Sequence, residues 1–336
     1  MPAIGSDWSS RPVLGAAWRI ENWLLLEYGG DPNPSPSRSW LGFPSATETA
    51  MKYFTIWLVA FAAFVSLSAF DARQSSAQDG PQGIFPDKNL ESVVRRYVFD
   101  KRYTEDPITE EDVKYLSVIK GVDAGVTDLT GLEKCYSLAE LDLRENEISD
   151  LSALSGLKYL QSVSLSDNKI TDIGPLAELT RMQYLELSNN EVEDLAPLAN
   201  LTAMRSLYLS NNRVKNIAVV AGMTKLWSLY LDGNEVTDLT PIKDHRFISS
   251  LDLKGNGITD LTPIANFQDL NFLFLQENKL TDLSILVDMA RRDIDGRRNF
   301  APFWKLYLRD NPLSDEARGA QVQALQEMGA RIDFEY

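Results

Sequence analysis

The amino-acid sequence predicts an α/β solenoid in which short parallel strands alternate with short helical turns. Three observations predict it. Asparagines recur at Asn146, Asn168, Asn190, Asn212, Asn234, Asn256 and Asn278, each 22 residues after the one before. Aligned segments such as LAELDLRENEISDLSALSGLKY and MQYLELSNNEVEDLAPLANLTA share the pattern L-x-x-L-x-L-x-x-N-x-I/V/L-x-D-L, and a fixed period of this length marks stacked repeats. Within each unit a leucine pair, such as Leu141 and Leu143 or Leu185 and Leu187, alternates with polar residues, so the pair points inward and its neighbours outward. Each strand is too short to fold alone. Stacked at about 4.8 Å, the strands bury a continuous leucine column and every repeat depends on its neighbours.

The chain opens with residues 1–50, which hold Trp8, Trp18, Trp23 and Trp40 and the turn-rich run YGGDPNPSPSRSW. No helical or strand period is sustained there, so a disordered extension is expected, upstream of a true translation start at Met51. Residues 51–77 read as a secretory signal: Met51 and Lys52, eighteen uncharged and mostly apolar residues from Tyr53 to Phe70, then a polar segment with small residues. Ser75 and Ala77 suit a cut before Gln78, with Ala69 and Ala72 as alternatives. The other reading is an uncleaved membrane anchor, since a span takes about 20 residues. Either way the remainder is expected to be exported, to the periplasm, the cell envelope or the exterior.

Residues 78–120 are expected to form a linker and an N-terminal cap. Leu90, Val93, Val94 and Tyr97 stand at helical spacing, and ITEEDV reads as a second helix start with Thr109 as N-cap and Asp112 three residues later. The repeats follow over 121–313. The asparagine of each unit is expected to satisfy backbone groups left unpaired where the chain turns after the strand. The column Asp150, Asp172, Asp194, Asp238, Asp260 and Asp282, with Asn216 once, is expected to cap the helical turns, and Pro175, Pro197, Pro241 and Pro263 suit their first positions. Calcium is the rival reading, but it needs six to eight oxygens, which single carboxylates one strand apart do not supply. From Asn278 to Asn311 the interval is 33 residues, so 11 are inserted. Leu283, Leu286, Val287, Ala290 and Ile294 fit one face of a helix there. Residues 314–336 are expected to seal the far end with a helix and a short strand.

The composition narrows the function. Among 336 residues, 33 Lys and Arg face 48 Asp and Glu, a formal net charge of -15, which disfavours nonspecific binding to nucleic acid or anionic lipid. Cys135 and His245 are the single cysteine and histidine, so neither an internal disulfide nor a Cys and His zinc set can form. Both occupy the apolar repeat position held elsewhere by Leu157, Leu179, Leu201, Met223, Phe267 and Met289. Five repeats separate them, about 24 Å at the usual strand spacing. An inert buried thiol and a partly buried structural histidine are the expected roles, against a reactive nucleophile and a catalytic base. No enzyme activity, metal or cofactor is expected.

These repeats resemble the leucine-rich repeat family, in particular the 22-residue internalin-like class of bacteria. The resemblance covers roughly residues 84–336 and rests on eight strand signatures. It implies a curved solenoid with the strands on its concave side, helical turns on its convex side, a helical N-terminal cap over 84–120, and a concave face that binds another protein. The residues after the repeats hold no immunoglobulin-like domain, wall-sorting motif or wall-binding module, so host-cell invasion is not implied.

The outward strand positions give the candidate site. Successive strands offer Glu140 and Asp142, Ser162 and Ser164, Tyr184 and Glu186, Ser206 and Tyr208, Ser228 and Tyr230, Ser250 and Asp252, Phe272 and Phe274, then Lys305 and Tyr307. Trp227 and Trp304 stand two positions before an inward leucine and are expected at the edge of the same face. Contiguous exposed aromatics are unusual on a soluble surface and supply much of the energy of interfaces. Tyr184, Tyr208, Trp227, Tyr230, Phe272, Phe274, Trp304 and Tyr307 are therefore the expected partner-binding residues; the rival reading is that the rings only cover neighbouring strands. Arg291, Arg292, Arg297 and Arg298 form a basic patch that is either a solvated helix face or an anion-binding site. The expected function is an exported, non-enzymatic module that binds a protein partner, with a glycan or cell-envelope polymer as the alternative ligand. No nucleic-acid partner is expected, and membrane contact only through residues 53–70 if they are not removed.

Overall fold

A three-residue strand has too few hydrogen bonds to persist alone, so its stability must come from strands on either side. The computed structural model describes residues 83–333, within one compact unit spanning 77–336. The expected extension and signal or anchor at 1–77 lie outside the described residues. Ten strands stack in chain order into one sheet: β1 (Val118–Lys120), β2 (Glu140–Asp142), β3 (Ser162–Ser164), β4 (Tyr184–Glu186), β5 (Ser206–Tyr208), β6 (Ser228–Tyr230), β7 (Ser250–Asp252), β8 (Phe272–Phe274), β9 (Lys305–Tyr307) and β10 (Arg331–Asp333). All pairs are parallel and in repeat register, so Leu141 faces Val163, Leu185 faces Leu207, and Leu273 faces Leu306 across the 11-residue insertion. The central residues from Ile119 to Leu306 are fully buried. Strand β1, without the leucine pair of the later units, lies at the end of the segment read as the cap, and β10 closes the sheet as the helix-and-strand reading expects.

Each repeat crosses from its strand to a short 3-10 turn, as in Ser152–Leu154, Gly174–Leu176, Ala196–Asn200, Thr240–Ile242 and Thr262–Ile264. The column of aspartates caps these turns: carboxylates of Asp150, Asp194, Asp238 and Asp260 each accept a backbone N–H two residues on at 2.8 Å, and Asn216 does the same with its amide oxygen. Proline begins several turns, where its missing N–H costs nothing. The strands thus form one side of the solenoid and the helical turns the other.

The asparagine ladder explains how the bend after each strand tolerates burial. Asn168 accepts the Ile148 N–H at 2.9 Å and donates its amide to the Leu143 and Leu165 carbonyls at 3.0 Å. One side chain thus joins its own bend to the repeat before it, and Asn190, Asn212, Asn234 and Asn278 repeat the pattern. Asn311 keeps it despite the longer interval, with the Leu280 N–H at 3.1 Å and the Leu275 carbonyl at 2.7 Å. The residue before each ladder asparagine is left-handed, as at Asp167, Asn189, Asn211 and Gly233; Asp, Asn and Gly enter that region most readily, and Glu145 and Glu277 adopt it too.

The ends are sealed by helices. At the N-terminus α1 (Lys88–Arg95) is capped by Asp87, whose carboxylate takes the Asn89 and Leu90 N–H groups, and it buries Leu90, Val93 and Val94. The short α2 (Glu110–Val113) begins as read, with the Asp112 carboxylate accepting the Thr109 N–H at 2.7 Å. The inserted residues form α3 (Ser284–Asp295), which buries Leu286, Val287, Met289 and Ala290. A wide turn over Ala317–Gln321 leads into α4 (Val322–Glu327). Gly329 then joins α4 to β10 at φ 100°, where a Cβ would stand 2.8 Å from the Pro302 Cα, so only glycine fits.

Candidate ligand face on the parallel sheet

Parallel register places every second outward residue of successive strands in one row. Glu186, Tyr208, Tyr230, Asp252, Phe274 and Tyr307 are consecutive partners in such a row, so their side chains leave the sheet together. The Tyr208 and Tyr230 rings lie 4.9 Å apart, and Phe274 stacks on Tyr307 at 4.5 Å with planes 10° apart. Tyr230 and Phe274 approach to 6.4 Å across Asp252. Tyr184, from the adjacent row, reaches Tyr208 at 5.4 Å. Five rings thus form one continuous strip, and each is half-buried because its neighbours cover part of it. The Tyr230 hydroxyl is fixed by the Ser250 hydroxyl at 2.8 Å, and the Lys305 ammonium sits 4.7 Å over the Phe272 ring. Trp227 stands at the rim, 66% exposed.

Trp304 departs from the expectation. It is fully buried and meets Phe300 edge-on at 4.9 Å. In regular repeats the residue three before the inward leucine is the plug, as Leu270 is for Leu273; its counterpart Phe303 is 64% exposed, and Trp304 takes the buried role instead. The reason lies in the insertion. After α3 the chain turns through Ala301–Phe303, and the Trp304 N–H bonds back to Ala301 rather than to the neighbouring strand. The indole Nε1 is buried without a hydrogen-bond partner.

Charge on this face is mostly neutralised in place. Asp142 is gripped by the Arg144 guanidinium at 2.8 and 2.9 Å, which holds its carboxyl below the usual range. Asp333 pairs with Arg309 at 2.7 Å. Asp252 differs: burial pushes its carboxyl up to about 6. Sequence reasoning placed it among the outward residues but assigned it no role; the one signal was an acid standing within a run of aromatics at the same repeat position.

The other candidates lie elsewhere. Arg292 donates to the Ala265 carbonyl at 2.5 Å and Arg297 to the Gln268 amide oxygen at 3.2 Å, bracing α3 against the preceding repeat. Arg291 pairs with Asp288 at 3.5 Å, and Arg298 bonds the Ile294 carbonyl. A cleft of about 240 Å³ lies beside them, lined by Phe267, Gln268, Met289, Arg292, Asp293 and Arg297 among others. Cys135 is buried and its thiol is pushed up to about 12 by that burial, which suppresses the thiolate. His245 is buried, donates through Nε2 to the Met223 carbonyl at 3.1 Å, and is shifted down by burial, so its ring is held neutral.

A family model for leucine-rich repeats, in two copies, matches residues 160–200. The fold matches internalin C2 of Listeria monocytogenes with a TM-score of 0.54 and 27% identity, over 75% of this chain and 95% of that one. This chain is a leucine-rich repeat protein resembling the Listeria internalins. Internalin F of the same organism matches with a TM-score of 0.52 and 25% identity, over 75% of this chain and 92% of that one. A leucine-rich repeat protein of Leptospira interrogans shares the fold, with a TM-score of 0.52 and 24% identity over 60% of this chain and 56% of that one. No curated protein matches the sequence significantly. The internalin-like repeats thus present the aromatic strip on the sheet side of the solenoid, and among the described residues no helix is long and apolar enough to cross a membrane.

Proposed function

We propose that this internalin-like repeat protein is an exported, non-enzymatic binding module that docks a protein partner on its sheet face. The observation behind this reading is the strip from Tyr184 to Tyr307, five rings in near contact on a face built from rigid, hydrogen-bonded strands. Rings already packed side by side lose little freedom on binding, and burying them contributes strongly per residue. Trp227 and Phe272 extend the same surface; Trp304 does not, because it is buried. Export is supported by the reading of residues 51–77, and the binding role by the internalin-like fold.

Affinity capture from native cell envelope, followed by mass spectrometry, tests this. Replacing Tyr208, Tyr230 and Phe274 together by Ala is expected to weaken capture by at least about 100-fold while the circular dichroism spectrum stays that of the parent. Capture that is unchanged removes the assignment. Binding to a glycan array that is lost in the same variant, with no protein captured, would select a carbohydrate ligand instead.

A further inference from the structure

We propose that Asp252 and the rings on either side form a socket for a basic side chain, arginine above all, carried by the partner protein. This rests on the sheet-face reading and names the chemistry at its centre. Tyr230 and Phe274 are rooted two strands apart, about 9.6 Å at the usual spacing, yet their ring centroids are 6.4 Å apart, with Asp252 on the strand between them. That residue is a carboxylate, and one of its oxygens is occupied only by the Lys254 N–H at 3.0 Å.

Comparison within the row shows what Asp252 lacks. Asp142 has a cation two residues on, and Arg144 folds back to neutralise it through two hydrogen bonds. Asp252 also has a cation two residues on, but the Lys254 ammonium turns away to Glu277 at 3.0 Å. Among the described residues no lysine or arginine forms an ion pair with Asp252. Glu186, in the same row, has a ring on one side only, since Ser164 is its other neighbour. In this row, among the described residues, Asp252 is the acid with a ring on each side and no ion pair. Just beyond β8, the Gln276 amide oxygen is buried without a donor.

The chemistry selects the occupant. An apolar side chain would complete the burial of a carboxylate with nothing to balance it, and an anion would be repelled. A guanidinium stacks on an aromatic face while its N–H fork bonds a carboxylate, so a single group engages a flanking ring and the acid together. The raised carboxyl of the free protein fits this, because it shows a site held at an electrostatic cost that an incoming cation would relieve. The acidic balance of the chain draws a basic partner to the same surface.

Selection of a phage-displayed random peptide library on the full chain tests the socket. The expected result is a consensus with arginine, or lysine, at one fixed position. The selected peptide is expected to bind Asp252→Asn at least about ten-fold more weakly and to lose affinity for the parent as pH falls through 6, with a flat profile for the variant. The charged and titratable groups around Asp252 are Tyr230 on β6, Asp232 just beyond it, Lys254 after its own strand and Glu277 beyond β8, and all of them remain in the variant. Selected peptides without a basic consensus, or equal binding to Asp252→Asn, overturn the socket while leaving the sheet-face reading intact if Tyr208→Ala still weakens binding. Peptides indifferent to Tyr208→Ala overturn both.

Discussion

Asn212 illustrates how much a single residue type can hold in a repeat protein. Its amide oxygen accepts the Val192 N–H at 2.9 Å, and its nitrogen donates to the Leu187 and Leu209 carbonyls at 2.9 and 3.0 Å. Asn190 and Asn234 also donate to those two carbonyls, so Asn212→Ala orphans chiefly the buried Val192 N–H; it is expected to cost about 1 to 3 kcal/mol in urea unfolding. Asp194→Ala removes one exposed turn cap and is expected to cost about 1 kcal/mol. Asp252 acts in the opposite sense. Its folded carboxyl, pushed up from 3.8 to about 6 mainly by burial, binds its proton more tightly than in the unfolded chain. Its contribution to stability is therefore full below pH 3.8 and is lost as pH rises through 6. Asp252→Asn should then be more stable than the parent at pH 8, by about 1 to 2 kcal/mol once solvent screening is allowed for, and the gap should close below pH 4. Urea midpoints of both proteins across that range decide it. Asparagine ladder and aspartate caps were readable from the sequence because each bonds within its own repeat or the one before; the shift at Asp252 was not, because it comes mainly from burial, which depends on the side chains of neighbouring strands.

Among the elements, the inserted helix α3 shows where a period stops being a guide. The sequence places its apolar face correctly, since Leu283, Leu286 and Ala290 are fully buried. Extending the regular repeat past the insertion misplaces Trp304, because α3 returns the chain to the sheet by a different route and the plug moves from Phe303 to its neighbour. The two tryptophans at equivalent repeat positions should therefore behave differently. Trp304→Ala is expected to cost about 3 to 5 kcal/mol by emptying a core site, whereas Trp227→Ala should stay within about 0.5 kcal/mol. Chemical denaturation of the two variants, followed by circular dichroism, separates them; equal effects would contradict the buried and exposed assignments.

At the scale of the whole solenoid, stability passes between neighbours, so the ends matter as much as the middle. Strand β10 pairs with β9, and its Arg331 N–H bonds the Trp304 carbonyl at 2.7 Å. Removing residues 314–336 uncovers the last repeat, and hydrogen exchange is expected to accelerate first over 272–311 and to fade toward β2. Uniform acceleration along the chain would point instead to a single cooperative unit.

Sequence alone determined the architecture: the 22-residue period, the buried leucine column, the ladder, the capped turns and the sealed ends. These rest on contacts repeated at one fixed interval, so a residue's position in the period states its environment. Tertiary structure decided the face itself: which rings touch, that Trp304 is withdrawn from it, and that Asp252 stands between two rings without an ion pair. Those outcomes depend on the identity of side chains two strands away and on the packing of a segment that does not repeat, and no periodic pattern encodes either.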